Sequence, residues 1–127
     1  MRGMNYTDFV IKVKNAKTAG KPIVKTDATK MSKAIAELLV VRGFVKGVEV
    51  KGKGVKKYLE IDLEGKKKIH AVKFLSTPSR HRHAGYKDFK KVKNGFGMLV
   101  VSTPKGVMTG ESARKEKVGG ELMFEIW

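Results

Sequence analysis

The sequence predicts an α+β fold in which an N-terminal helix-strand-helix-strand-strand unit is packed on a C-terminal, mostly antiparallel sheet with a short helix. Two patterns favour this class. Apolar residues recur at helical spacing near the start of the chain, whereas alternation and short apolar runs dominate later. A hydrophobic content of 41% over 127 residues suffices for one core or two small ones. We expect two domains, a basic α/β domain over residues 1–75 and a β-rich domain over 76–127.

The two N-terminal helices are predicted from apolar spacing and from their end signals. Apolar residues keep to one helical face over residues 6–19, and Gly20 is placed to end that helix. A second periodic segment runs from Thr29, a plausible N-cap, to Gly43, a stop. Between the helices, residues 21–25 favour a short strand that begins at a proline.

Strands are predicted in the remainder of the N-terminal half. Residues 44–50 form one candidate and residues 69–74 another. Between them, Leu59, Ile61 and Leu63 alternate with acidic residues, which is typical of a strand with one solvated face.

The C-terminal half has shorter and less periodic segments. We expect a helical turn over 86–92, a turn at 94–97, a buried strand over 98–101, a loop over 102–106, a short helix over 110–117 with Thr109 as its cap, and a last strand over 121–127.

The charge of the chain indicates a polyanionic partner. There are 28 Lys and Arg against 12 Asp and Glu, a formal net charge of +16. Such an imbalance repels itself unless a polyanion is present, and nucleic acid is the favoured one, ahead of a membrane surface or an acidic protein. Residues 1–93 hold 24 of the cations and 8 of the acids, whereas residues 94–127 hold four of each. Phosphate contacts are therefore expected mainly from the first part of the chain.

Several function classes are excluded or disfavoured. The chain has no cysteine, which excludes disulfides, thiolate nucleophiles and cysteine-ligated zinc. We see no signal peptide and no apolar run long enough to span a bilayer, so we expect a cytoplasmic protein without a membrane partner. The sequence is compatible with a start at Met1 or at Met4.

The histidines raise the alternative of an enzyme that acts on nucleic acid. His81 and His83 flank an arginine, and the nearest acid in the sequence is Asp88. Two histidines without cysteines and with one distant carboxylate make a poor metal site. A histidine that stacks on a base or binds a phosphate is the better functional interpretation, so we expect no catalytic residue, metal or cofactor.

The C-terminal third carries an extended motif series. It reads STPKGVMT over 102–109, ESAR over 111–114, VGGE over 118–121 and a terminal Trp127, after NGFG at 94–97. In this order and spacing the chain resembles the bacterial family of small-subunit ribosomal protein eight, over about residues 5–127. Lys14-Asn15 and Thr29-Lys30 resemble the N-terminal half of that family.

The resemblance implies a two-part α/β protein of the small ribosomal subunit that binds a helical element in the central domain of its ribosomal RNA early in assembly. It implies that neighbouring ribosomal proteins are further partners and that the chain is a monomer within the ribosome. The runner-up is a free-standing RNA or DNA chaperone or regulator with the same fold. The candidate RNA-binding residues are Ser102, Thr103, Pro104, Lys105, Gly106, Gly119, Gly120, Glu121, Arg80, Arg82, His83, Lys14, Asn15 and Lys30.

The chain departs from the family pattern at three of its positions. Pro104 stands where many relatives have a third hydroxyl residue. His83 stands where relatives commonly carry a tyrosine, and Tyr86 lies close by in the sequence. Ser112 replaces an acid, which removes a capping-box partner for Thr109.

Overall fold

A computed structural model describes residues 6–77, 79–90, 92 and 96–127. It divides into two compact units, Met1–Ile69 and His70–Trp127. The division predicted from the sequence, between residues 75 and 76, lies slightly further along the chain. Met1, Met4 and the first half of the predicted turn at 94–97 lie outside the described residues.

The first helix, α1 (Tyr6–Thr18), forms where apolar spacing predicted it. Phe9, Val10 and Val13 are almost fully buried, so the predicted face is the one that packs. The helix ends before Gly20, whose φ of 78° is the left-handed conformation that glycine tolerates best.

Strand β1 (Ile23–Asp27) and helix α2 (Lys30–Val41) follow. The strand begins after Pro22 rather than at residue 21, which fits a proline's lack of a backbone N–H for the ladder. Thr29 is the N-cap of α2, as predicted, and it forms a reciprocal pair with Ser32. The Thr29 hydroxyl accepts from the Ser32 N–H at 3.0 Å, and the Ser32 hydroxyl accepts from the Thr29 N–H at 2.9 Å.

The first unit is completed by strands β2 (Gly47–Lys51) and β3 (Tyr58–Asp62). The three strands form an antiparallel sheet of order β1-β3-β2. Leu59 and Ile61 are fully buried while the acidic residues beside them are only half-buried, which confirms the predicted alternation. Phe44, expected within a strand, is instead fully buried in the segment before β2.

The second unit contains β4 (Val72–Phe74), β5 (His83–Ala84), β6 (Met98–Thr103), β7 (Gly106–Thr109), α3 (Gly110–Lys115) and β8 (Gly120–Ile126). Its sheet has the order β4-β8-β6-β7, and β5 also pairs with β8. The placement of the strand predicted over 69–74 was wrong. It shortens to β4 and pairs with β8, so it belongs to the second sheet and not to the N-terminal half.

The core of this sheet's α3 side comes from three elements. Leu99 and Val101 of β6 pack with Ala113 of α3 and with Phe89 and Val92. The predicted helical turn over 86–92 is a 3₁₀ turn at Tyr86–Asp88, which ends just before the buried Phe89 side chain. The short helix is thereby held against the sheet close to the β6–β7 hairpin.

A β-bulge sets the register between β6 and the N-terminal end of β8. Val100 pairs with Phe124 and Val101 with Leu122, so Met123 is the extra residue. A bulge changes which side chains of a strand share a face beyond it. Beyond this bulge, Ser102 lies directly opposite Glu121.

Candidate nucleic-acid interface

The segment expected to be a loop over 102–106 is a tight hairpin. Ser102 and Thr103 are the last residues of β6, Gly106 begins β7, and only Pro104 and Lys105 lie between the strands. Strand β7 itself was not predicted. Gly106 has a φ of 120°, which strains any residue with a side chain, so the hairpin requires glycine there.

The two hydroxyl residues of this hairpin have different environments. The Thr103 side chain is buried, donates to the Gly106 carbonyl at 2.8 Å and accepts from the Lys105 N–H at 3.1 Å. The Ser102 side chain is half-buried, and its hydroxyl has no hydrogen-bond partner within the ranges that the structure describes. Ser102 is therefore the hydroxyl that remains available to a ligand, whereas the Thr103 hydroxyl holds the turn.

Three predicted site residues form a row across neighbouring strands. Ser102 of β6 and His83 of β5 are both directly opposite Glu121 of β8. Directly opposite residues project from the same face of an antiparallel sheet. We call Ser102, Glu121 and His83 the Ser102 row. The sequence alone could not place them together, because β5 is too short to show a periodic pattern.

The two glycines that precede Glu121 are required by packing. A Cβ on Gly119 would lie 2.8 Å from the Ala84 carbonyl oxygen, and a Cβ on Gly120 would collide with the carbonyl oxygen of Ser102. These glycines therefore let the backbones of β5 and β6 approach β8 closely, which is what positions the Ser102 row. Their predicted RNA contact stays a prediction.

The basic segment before β5 is anchored to β8. The Ser76 hydroxyl donates to the Leu122 carbonyl at 2.5 Å and accepts from the Arg82 N–H at 2.9 Å, and the Leu122 N–H donates to the Arg82 carbonyl at 2.8 Å. Arg80 and Arg82 are exposed, and Arg82 directly precedes His83 of the Ser102 row in the chain. Tyr86, the alternative to His83 for base stacking, packs against the core around Phe89 instead.

The cations predicted in the first unit lie on its helices. Lys14 and Asn15 are on α1, where Lys14 is half-buried and Asn15 is exposed. Lys30 is exposed at the first position of α2. Lys17, near the end of α1, is engaged within the unit. Its ammonium donates to the carbonyls of Phe44, Gly65 (3.2 Å) and Lys67 (2.6 Å), and burial lowers its pKa.

Two further lysines are engaged within the first unit. The Lys67 ammonium lies 4.8 Å from the centre of the Phe44 ring, and burial, followed by the nearby Arg42 charge, lowers its pKa. Lys51 forms an ion pair with Glu60 at 2.5 Å, and this hydrogen bond raises its pKa. The charge count alone therefore overstates the number of lysines that are free to meet a polyanion.

The alternative of a nucleic-acid enzyme was raised by His81, His83 and Asp88. Among residues 6–77, 79–90, 92 and 96–127, no three His, Cys, Asp or Glu side chains are grouped so that they could hold a metal ion. His81 bonds to Glu121 at 2.8 Å rather than to Asp88, the acid nearest in sequence. No helix in the described part of the chain has the length and apolar content needed to cross a membrane.

Comparison with known proteins identifies the family. The family model for ribosomal protein S8 matches residues 5–127. The small ribosomal subunit protein uS8 of Rippkaea orientalis is 37% identical over 126 residues, 95% of each chain. The uS8 protein of Caldicellulosiruptor bescii is 39% identical over 94% of each chain, and the uS8c protein of Rhodomonas salina is 38% identical over 94% of this chain and 95% of its own. The chain therefore belongs to the ribosomal protein S8 family, a family of structural ribosomal proteins and not of enzymes.

Proposed function

We propose that this protein is a constituent of the small ribosomal subunit that binds the central domain of small-subunit ribosomal RNA and helps its assembly. The observation that carries this proposal is the Ser102 row. It presents an available hydroxyl and an imidazole on one sheet face, and the exposed Arg80 and Arg82 lie in the chain segment just before His83. Short polar side chains in fixed positions suit 2′-hydroxyls and the base edges of an irregular RNA element.

The two units have different roles in this proposal. Lys14, Asn15 and Lys30 of the first unit contact phosphates, which orient the protein without reading sequence. In the second unit, Ser102 and His83 read RNA shape, while Lys105 and the arginines supply local charge. Lys105 stays available for this role because its side chain is 58% exposed and its ammonium pairs only loosely with Glu116, at 3.7 Å.

Neighbouring ribosomal proteins are further partners in the proposal, and the cytoplasmic ribosome is the site of action. A free-standing RNA chaperone with the same fold would share the positive charge and the helical lysines. It would not need a close-packed Gly119-Gly120 step to fix a hydroxyl, a carboxylate and an imidazole in one row.

Hydroxyl-radical footprinting on full-length small-subunit ribosomal RNA tests this function. We expect protection to cluster in one helical element of the central domain. Ser102→Ala should weaken that protection selectively, and Lys14→Gln, a matched phosphate-contact variant, should weaken all protection equally. Protection scattered over several domains, unaffected by Ser102→Ala, would favour the chaperone and contradict the ribosomal role.

A further inference from the structure

A histidine outside the proposed RNA-contact set touches the central residue of the Ser102 row. The Nδ1 atom of His81 lies 2.8 Å from the Oε2 atom of Glu121. The Glu121 side chain is only 24% exposed, while that of His81 is 57% exposed. The imidazole is therefore the more exposed partner of this pair.

The backbone on both sides of His81 is fixed, so this contact differs from a chance meeting of two surface side chains. On one side, Arg82 is bonded through its N–H to the Ser76 hydroxyl and through its carbonyl to the Leu122 N–H. On the other side, Arg80 and Thr77 exchange two backbone hydrogen bonds, at 3.0 and 3.1 Å. A short segment held at both ends presents His81 to β8.

Glu121 is an unusual residue for a surface that meets RNA, because a carboxylate repels phosphate. The titratable groups placed at it are His81, through this hydrogen bond, and His83, across the β5–β8 ladder. Arg80 and Arg82 flank His81 in the chain. On the β6 side its neighbour is the uncharged Ser102, and the nearby Lys105 pairs with Glu116. The described contact that directly engages the carboxylate is therefore the imidazole.

The protonation state of that imidazole decides the charge of the pair. A neutral imidazole can donate one hydrogen bond to the carboxylate but leaves its negative charge in place. An imidazolium makes a charge-assisted hydrogen bond and cancels that charge. Imidazoles change charge between about pH 5 and 8, so both states are accessible under ordinary conditions.

We infer that His81 is a positioning residue that sets the orientation and the effective charge of Glu121, so that RNA binding is coupled to uptake of a proton by His81. This inference rests on the proposed RNA-binding function. When His81 is protonated, the pair is neutral and RNA binds more tightly. When His81 is neutral, Glu121 keeps its negative charge, which repels RNA phosphate, and affinity falls. Linkage then requires that RNA binding itself favours the protonated form.

The size of the effect follows from a single unit charge. Two unit charges about 4 Å apart in water interact with about 1 kcal/mol, which corresponds to about a fivefold change in Kd. If His81 only packed against Glu121, RNA affinity would show no such dependence on pH, because packing does not change with pH in this range.

The test compares the pH dependence of RNA affinity for three proteins with a hairpin from the central domain, between pH 5.5 and 8.5 at constant ionic strength. The His81→Arg variant has a positive charge at position 81 at every pH in this range, and the His81→Gln variant has none. We expect Kd of His81→Arg to equal that of the unsubstituted protein at low pH and to be about fivefold lower at high pH. We expect the Kd of His81→Gln to equal that of the unsubstituted protein at high pH and to be about fivefold higher at low pH.

Two controls isolate the contact with Glu121. His70→Gln changes an exposed histidine before β4, near the opposite end of β8, and should leave the pH profile unchanged. In a Glu121→Gln background, the difference between His81 and His81→Arg should lose its pH dependence, because the carboxylate through which His81 acts is gone.

The outcomes separate this inference from the proposed function. Specific hairpin binding by all variants, with parallel pH profiles, would overturn the coupling and leave the RNA-binding function standing. A pH-dependent effect of His81→Arg that survives in the Glu121→Gln background would also overturn it, because His81 would then act on RNA directly. If no protein prefers the hairpin to an unrelated duplex at any pH, the proposed function itself fails.

Discussion

Ser102 and Thr103 are adjacent in the sequence, but their hydroxyls should have different effects when they are removed. Loss of the Thr103 hydroxyl should mainly lower stability, and loss of the Ser102 hydroxyl should mainly lower RNA affinity. Thr103→Val keeps the side-chain shape but removes the donor to the Gly106 carbonyl and the acceptor for the Lys105 N–H. Each such bond contributes about 1 kcal/mol net, and a buried group left unpaired costs more, so we expect a loss of about 1–3 kcal/mol in unfolding free energy. Ser102→Ala removes a hydroxyl with no partner in the described chain, so stability should change by less than about 0.5 kcal/mol.

Affinity for the RNA hairpin should show the reverse order. Loss of one hydrogen bond from Ser102 should weaken binding about two- to tenfold. Urea unfolding followed by circular dichroism measures the stability change, with the slope unchanged between variants. Thr103→Ser is the matched control, because it keeps the hydroxyl. Equal stability of Thr103→Val and the unsubstituted protein would refute the role assigned to that hydroxyl in closing the turn.

Two further predictions concern the first unit. Lys17→Met keeps the aliphatic stem but leaves three backbone carbonyls without the ammonium, so the unfolding free energy should fall by about 1–3 kcal/mol. Lys12→Met, at an exposed position of the same helix, should cost much less, and equal losses in urea unfolding would contradict the role of Lys17. Lys14→Gln and Lys30→Gln should each reduce the slope of log K against log salt by about 0.7–0.9 without changing discrimination between RNAs. Selective loss at one RNA site would show that these lysines do more than contact phosphate.

Much of the first unit could be predicted from local sequence because its signals are local. The apolar face of α1, the Thr29 cap of α2 and the alternation around Leu59 each lie within one element, and each is found in the structure. Local signals predicted a strand at Val72–Phe74 but assigned it to the wrong unit, because its partner is β8, near the other end of the sequence. Strands β5 and β7 were missed because two to four residues show no period.

The candidate site shows the same limit. Sequence motifs selected Ser102, Thr103 and Glu121 together, but could not say which hydroxyl was free, because that depends on the hydrogen bonds of a two-residue turn. Likewise, the role of Lys17 depends on carbonyls that are distant in the chain. His81 was weighed as a metal ligand, whereas its observed partner comes from a strand that the sequence places some 40 residues away.

The measurement that tests the central claim most directly is binding of the purified protein to a central-domain hairpin of small-subunit ribosomal RNA and to an unrelated duplex, across a salt series. With about six phosphate contacts and no other recognition, duplex binding should weaken with a log–log slope of roughly −4 to −5. We predict that hairpin binding stays tight at moderate salt while duplex binding collapses. Equal affinities for the hairpin and the duplex, with parallel slopes, would mean that the Ser102 row does not distinguish the two RNAs. That result would contradict a specific ribosomal RNA site.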